Sequence, residues 1–415
     1  MKLTIHRGSN QIGGSCVEVA TDTTRILLDI GLPLDSVGKS KKELNEAYEK
    51  AKAQAADWCQ GVDAVFISQY HGDHIGLIDA VPVTTSVYMS APAIRTYVLP
   101  QVLFSYVRER NLKPFFRKTI IGDLTITPFR VDHSAYGAQA FLISDGSKTI
   151  FYSGDVRTHG LAEGKYRLPK GIDYLMIEGT NIDREYKTGL WSEADVRDKF
   201  VESFHRELGI HYVWVSALNI DRLKVLYAAC AATGKTLAVD TYTMHILRTM
   251  NKKDKSVPFG DDYSALRTFC PEYLAAHFVR QCKTGIRDSV SAWEILLDEV
   301  KAAPHDYVVT VRPRMEPEID FIGVDTGIFV NSMWQEYENL DRYPDNCTFI
   351  ECVARYKHRH IHTSGHANRK GLLEIADRIS PKHIIPIHTD NPAAFKDLFA
   401  DYEIVMLNDG EARIL

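Results

Sequence analysis

The chain opens in short apolar runs separated by polar turns. Met1-Lys2-Leu3-Thr4-Ile5-His6-Arg7-Gly8 reads as a strand, and Val17-Glu18-Val19-Ala20 with Thr24-Arg25-Ile26-Leu27-Leu28-Asp29-Ile30-Gly31 predicts a hairpin. Asp63-Ala64-Val65-Phe66-Ile67-Ser68 is a buried strand running into a polar loop, and further strands fall at 124–131, 139–143, 149–153 and 174–178. Two helical patterns interrupt them. One covers 41–60 and is rich in Ala, Glu and Lys; the other covers 93–110 and carries Pro100 as a kink or break.

The texture changes near residue 181. Ser192 to Leu208 begins with Ser-x-x-Asp ahead of an amphipathic run, Val213-Trp214-Val215 reads as a strand, 221–233 as a helix and Leu237-Ala238-Val239 as a strand. The alternation continues through Tyr307–Val311 and Gly327–Val330, predicting a second α/β unit with a partly parallel sheet. From Ile361 the chain returns to the first unit, with a helix at 370–379, a strand at 383–387, a helix at 392–400 and a last strand near Arg413. The expected organisation is one domain inserted into another: 1–180, an insert over 181–350, and a return over 351–415.

Composition narrows the class without reaching function. The 415 residues carry 49 Lys+Arg against 54 Asp+Glu, a formal charge of −5, with 45% hydrophobic residues. No run of eighteen apolar residues and no signal-peptide pattern occurs, which excludes the membrane class and argues against secretion. Seven cysteines, without a C-x-x-C pair, argue for a reducing compartment, so a cytoplasmic location is expected. The slightly acidic balance provides no global attraction for nucleic acid but leaves room for a local basic groove.

The chemistry concentrates in loops that follow strands. In Ser68-Gln69-Tyr70-His71-Gly72-Asp73-His74-Ile75-Gly76, two histidines and an aspartate crowd into four positions, aimed by a tight loop with Gly72 allowing the turn. Imidazole nitrogen and carboxylate oxygen are suitable zinc donors. Val131-Asp132-His133-Ser134, Tyr152-Ser153-Gly154-Asp155 and Pro386-Ile387-His388-Thr389 have the same character. Any one of them alone reads as a cap or a solvated turn. Together, at strand ends of one unit, they can assemble a metal site from distant sequence.

The order Asp29, His71–His74, His133, Asp155, His388 resembles the metallo-β-lactamase family, and the remainder resembles its β-CASP subgroup of nucleic-acid-processing enzymes. Ile177-Glu178-Gly179-Thr180 is similar to that subgroup's first extra motif, Thr363-Ser364-Gly365-His366-Ala367 to its second, and His388 to its third; Asn219-Ile220-Asp221-Arg222 resembles part of its inserted domain. The resemblance implies an α/β fold: an αββα metallo-β-lactamase sandwich with an inserted α/β β-CASP domain. It implies a short RNase J-like or cleavage-and-polyadenylation-type ribonuclease, without a C-terminal extension or KH domains. By the same resemblance Asp73, His74 and His388 hold one zinc, His71 and His133 the other, Asp155 bridges both, and Asp29 orients the ligand loop. His366 is then the acid for the departing oxygen, Glu178 orients it, and Ser364, Gly365 and Arg222 meet a substrate phosphate in a cleft between the two units.

The sequence departs from the family pattern His-x-His-x-Asp-His at its first position, where Gln69 stands. An amide oxygen is a weaker zinc donor than imidazole. Three outcomes follow: two metals with the first site weakened and Gln69 as a poor ligand, one metal only, or an inactive site; zinc is the expected ion, with manganese as the alternative. His388 at the third motif accompanies RNA-processing members, so RNA is the expected partner by resemblance. The basic and aromatic run Arg355-Tyr356-Lys357-His358-Arg359-His360-Ile361-His362 adds local support for a backbone-tracking groove, with Arg312 and Arg314 as a second basic candidate. The competing readings are a catalytically silent RNA-binding or assembly subunit and a hydrolase of a smaller phosphodiester or other ester. Oligomeric state has no signature in the sequence.

Overall fold

A computed structural model describes residues 1–34, 40–104, 109–162, 165–184 and 191–415. The chain divides into two compact units: Met1–Val98, Val107–Leu190 and Gly365–Leu415 form one, and Leu99–Tyr106 with Trp191–Ser364 form the other. The junctions fall after 190 and 364, ten and fourteen residues past those placed from sequence after 180 and 350.

The described strands of the first unit make two sheets. One runs in the order Ala412–Ile414, Lys2–Arg7, Cys16–Ala20, Arg25–Leu28, Ala64–Phe66, Ser86–Met89, Leu112–Pro114; the other runs Glu403–Ile404, His383–Ile387, Tyr174–Glu178, Thr149–Tyr152, Gln139–Ser144, Leu124–Arg130, Thr119–Ile121. The predicted hairpin pairs Val17 with Leu28 and Val19 with Ile26. These residues point inward and meet Ile126, Phe141, Ile143 and Met176 of the facing sheet in one buried core. On the opposite face Glu18 accepts from Arg25 and His6; burial opposes its charge, yet these partners hold its carboxyl down at about 2.

A helix lies outside each sheet. Lys41–Trp58 starts at Ser40, whose hydroxyl accepts from Glu43 N–H while the Glu43 carboxylate accepts from Ser40 N–H. Its Trp58 stacks on His6 at 5.0 Å. Arg369–Ile379 buries Leu372, Ile375, Ala376 and Ile379 against Leu175, Ile177 and Ile384 of the second sheet. The result is the expected αββα arrangement. The predicted helix over 93–110 is seen as Ala91–Phe104 with Pro100 inside it, while 105–108 lie outside the described residues.

The second unit is a sheet in the order Leu266–Phe269, Thr236–Asp240, Tyr307–Val311, Ile210–Trp214, Gly327–Asn331, Lys357–His360, with every described pairing parallel. Its Glu193–Arg206 helix begins at the expected Ser192 cap, with Asp195 completing the reciprocal pair. Among the described residues, no helix is long and apolar enough to cross a membrane.

Candidate metal centre

In the first unit the parallel strands Tyr174–Glu178 and His383–Ile387 end side by side, and Thr149–Tyr152 ends beside them. Glu178 at the end of its strand, with Asp155 and His388 just beyond theirs, comes to one sheet edge. Ala64–Phe66 of the other sheet delivers Ser68 to His74 there. The histidine cluster is a short helical turn, Gly72–Ile75, rather than a glycine-dependent loop. Gly72 has no left-handed φ and a Cβ on it would meet nothing within 4 Å, so it is not what permits the turn. The required glycine is Gly31, where a Cβ would fall 1.7 Å from the Asp73 carbonyl oxygen.

Asp29 organises the ligand turn. It is fully buried and accepts four bonds: Ser68 N–H at 2.6 Å, and the Ser68 hydroxyl, Tyr152 hydroxyl and His74 Nδ1–H at 2.7 Å each. An acceptor-only carboxylate fixes the His74 proton on Nδ1, so the Nε2 lone pair faces inward. That nitrogen lies 2.9 Å from Asp155 Oδ2 and 3.8 Å from Asp73 Oδ2. His388 Nε2 completes the group 3.2 Å from Asp73 Oδ2, while its Nδ1 meets the Thr180 hydroxyl at 2.9 Å.

Asp73, His74, Asp155 and His388 thus offer ligand atoms all within 4.8 Å of one another. His74 Nε2 and Asp155 Oδ1 are buried without a hydrogen-bond partner. Orphaned acceptors aimed at one point are costly unless a cation sits between them. With a proton as that cation, burial opposes the charge on His74, but Asp155, Asp29 and Asp73 hold it well above the usual imidazole range. Asp155 and Asp73 are held low despite their burial, the first by His388 and His74, the second by His74 and His388. The donor set fits a divalent metal.

The other half of the expected site is built differently. His133 donates Nδ1–H to the Gly365 carbonyl at 2.6 Å, and its Nε2 lies 3.3 Å from His71 Nδ1. Burial pushes both imidazoles down, toward the neutral form. The fully buried Gln69 accepts His71 N–H on Oε1 at 2.7 Å and donates Nε2–H to Asp155 Oδ2 at 2.9 Å. Because a backbone N–H can only donate, the amide oxygen is committed to His71. Gln69 therefore turns a hydrogen toward the carboxylate, not the lone pair that a ligand would need.

Beside these groups His366 Nδ1 lies 3.0 Å from Glu178 Oε1, and the other Glu178 oxygen accepts Thr180 N–H at 2.9 Å. Burial opposes the imidazolium, but Glu178, Asp155 and Asp73 raise it to about 9. Gly365 has no room for a side chain: a Cβ would come within 2.5 Å of Ser134 Oγ and 2.9 Å of His133 Cε1.

In the second unit, several residues expected to meet phosphate or RNA are engaged within the protein. Arg222 is fully buried, with Nε and Nη2 on Glu193 at 2.9 and 3.0 Å and Nη1 on the Ser332 hydroxyl at 2.6 Å. Its donors are spent inside the unit, so it does not reach a substrate phosphate. The basic run is ion-paired: Arg355 with Asp320, Lys357 and Arg359 with the single carboxylate of Glu207, and His358 with Glu338, while Tyr356 is core. Arg312 is held by Asp240 and lies over Tyr242. Ser364 is half-buried at the last position of that unit. Sequence reasoning missed Ser68, Tyr152 and Thr180 as partners of Asp29 and His388, although each adjoins or lies within a motif it had singled out.

Residues 24–219 match the Beta-lactamase superfamily domain model, and residues 353–406 match the Zn-dependent metallo-hydrolase RNA specificity domain. Ribonuclease J of Mycolicibacterium smegmatis is 22% identical over 343 residues, covering 79% of this chain and 58% of that protein. Probable RNase MJ4 of Methanocaldococcus jannaschii is 28% identical over 214 residues, covering 43% of this chain and 45% of that protein. The chain thus spans about half the length of these curated relatives. A crystal structure of a protein of unknown function from Enterococcus faecalis V583 shares the fold, with a TM-score of 0.77, 19% identity, and coverage of 100% of this chain and 99% of that one. The sandwich and the match over residues 24–219 are similar to those of the metallo-β-lactamase superfamily. Within it, the two domain models and the relatives named Ribonuclease J support the β-CASP, RNase J-like family.

Proposed function

We propose that this protein is a zinc-dependent ribonuclease whose principal metal is held by Asp73, His74, Asp155 and His388. The observation that carries the reading is the buried four-donor group, with orphaned acceptors, next to the His366–Glu178 pair. Similarity to proteins named Ribonuclease J and to an RNA specificity domain supports RNA as substrate. A bound zinc would supply Lewis-acid polarisation of a phosphoryl oxygen and a lowered pKa for attacking water.

The chain's own residues supply the rest. Asp29 keeps His74 in the tautomer that presents Nε2. Glu178 accepts His366 Nδ1–H and stabilises the imidazolium, so the proton on Nε2 can pass to the departing oxygen and be replaced from solvent. Gln69 donates to Asp155 and withholds a third neutral donor from His71 and His133, which favours one tightly held metal over two.

Elemental analysis of protein purified without added metal, run beside cleavage of a labelled RNA, tests this. About one zinc per chain and metal-dependent cleavage are expected, both lost in Asp155→Ala and His388→Ala. Undiminished cleavage by either variant would defeat the mechanism, and two zincs in wild type would defeat the count. His366→Ala should retain zinc and cleave about 10²–10⁴-fold more slowly.

A further inference from the structure

The segment after Leu112–Pro114 is unusual for the surface of an αββα sandwich. Phe115 is core, but Phe116 is 68% exposed and Ile120 67% exposed. The Arg117 guanidinium lies over the Phe116 ring at 5.2 Å, and Lys113 Nζ lies 5.9 Å from the Tyr88 ring centre. Lys113, Arg117, Lys118 and Arg130 are all exposed, and among the described residues no carboxylate pairs with any of them. That contrasts with the basic run of the second unit, whose cations are paired with carboxylates.

Topology puts this segment beside the metal turn. Ala64–Phe66, Ser86–Met89 and Leu112–Pro114 are adjacent and parallel, so their C-terminal ends share one edge. Two strand spacings separate the first from the third, roughly 10 Å. Gln139 ties the two loops together: its backbone N–H donates to the Ser68 carbonyl at 2.9 Å, and its side chain donates to the Phe115 carbonyl at 2.9 Å. Arg130 is the strand partner of Gln139.

We propose that Phe116, Arg117 and Lys118, flanked by Lys113 and Arg130, form a ledge on the first unit that binds single-stranded RNA next to the metal turn. The inference rests on the ribonuclease reading above and adds a path for the strand. An exposed aromatic face offers a stacking platform to any base, and unpaired cations around it suit a phosphate backbone. A neutral or basic protein partner would leave those cations unmatched.

The test is binding of a nuclease-resistant phosphorothioate oligoribonucleotide to the metal-loaded full chain, by fluorescence anisotropy at several salt concentrations. Phe116→Leu should weaken binding about tenfold and Phe116→Trp should preserve it, because stacking rather than apolar bulk is lost in the first. Arg117→Ala with Lys118→Ala should flatten the dependence of log Kd on log salt by about 1 to 1.5. If wild type binds and cleaves RNA but all three variants bind like wild type, the ledge is wrong and the ribonuclease reading stands. A duplex RNA bound as tightly as the single strand also overturns it. If wild type neither binds nor cleaves RNA, the functional reading fails and takes the ledge with it.

Discussion

Replacing Asp29 with Asn tests whether the metal centre depends on a group that would never touch the metal. The carboxylate takes one donor on Oδ1 (Ser68 N–H, 2.6 Å) and three on Oδ2 (the Ser68 and Tyr152 hydroxyls and His74 Nδ1–H, 2.7 Å each). An amide has one oxygen, and it would go where three donors converge. Its NH2 would then face Ser68 N–H, donor against donor, in a site with no water access. Losing that charge-assisted bond costs about 2 kcal/mol, and the other three, now accepted by a neutral oxygen, lose about 0.5–1 kcal/mol each. A destabilisation of about 4 kcal/mol leaves a domain of ordinary stability folded. The His74 imidazole also loses the anion that makes Nε2 a better donor, so metal affinity should fall about 10–100-fold. Urea unfolding of the chelated protein reads the first effect, and competition with a chromophoric chelator on folded protein reads the second. Metal affinity within about threefold of wild type would show that Asp29 does not tune the ligand and would refute the reasoning.

Gly365→Ala should push Ser134 and His133 apart, costing about 1–3 kcal/mol and slowing RNA cleavage, while zinc content, set by the four-donor group, stays near wild type; a wild-type rate would show that His133 placement does not matter. Glu193→Gln leaves Arg222 as an uncompensated buried charge and should lower unfolding stability by about 3–5 kcal/mol in urea, whereas Glu193→Met with Arg222→Met should recover most of it. The second unit should also be acid-labile: burial lowers His211 and His245 to about 4 and His362 to about 3 from an ordinary 6.5. These imidazoles stay neutral when folded and gain protons on unfolding, so their stabilisation is complete above 6.5 and drains away as pH falls through 4. His211 alone accounts for about 3 kcal/mol, and His211→Gln should flatten the pH dependence of the unfolding midpoint between 6.5 and 4; an unchanged slope would rule His211 out as a source.

The proposed ligands were legible because strand periodicity and ligand chemistry agree at the same positions: an apolar run predicts where a strand stops, and His or Asp shortly after it is placed by the strand. His388, one residue past its strand, and Asp155, three residues past its own, follow that rule, whereas His74 is carried by the helical turn Gly72–Ile75. What stayed hidden depends on pairing across long separations. Lys357 and Arg359 look like an RNA-binding stripe until Glu207 is found against them, and Arg222 looks available until Glu193 is found 29 residues earlier. Neither carboxylate has a local signature. Gln69 lies between these cases. Its identity was visible and marked a weakened ligand position, but the choice between a metal-facing oxygen and a carboxylate-facing N–H turns on one backbone donor, His71 N–H, just ahead of the helical turn Gly72–Ile75. The sequence pattern there reads as a loop, so the one fact that decides the role of Gln69 lies beyond it. The consequence can be tested in the reverse direction: Gln69→His removes the N–H from Asp155 and supplies a third imidazole to His71 and His133, so zinc per chain should rise from about one toward two. A content that stays at one would place the limit on the second site elsewhere than in Gln69.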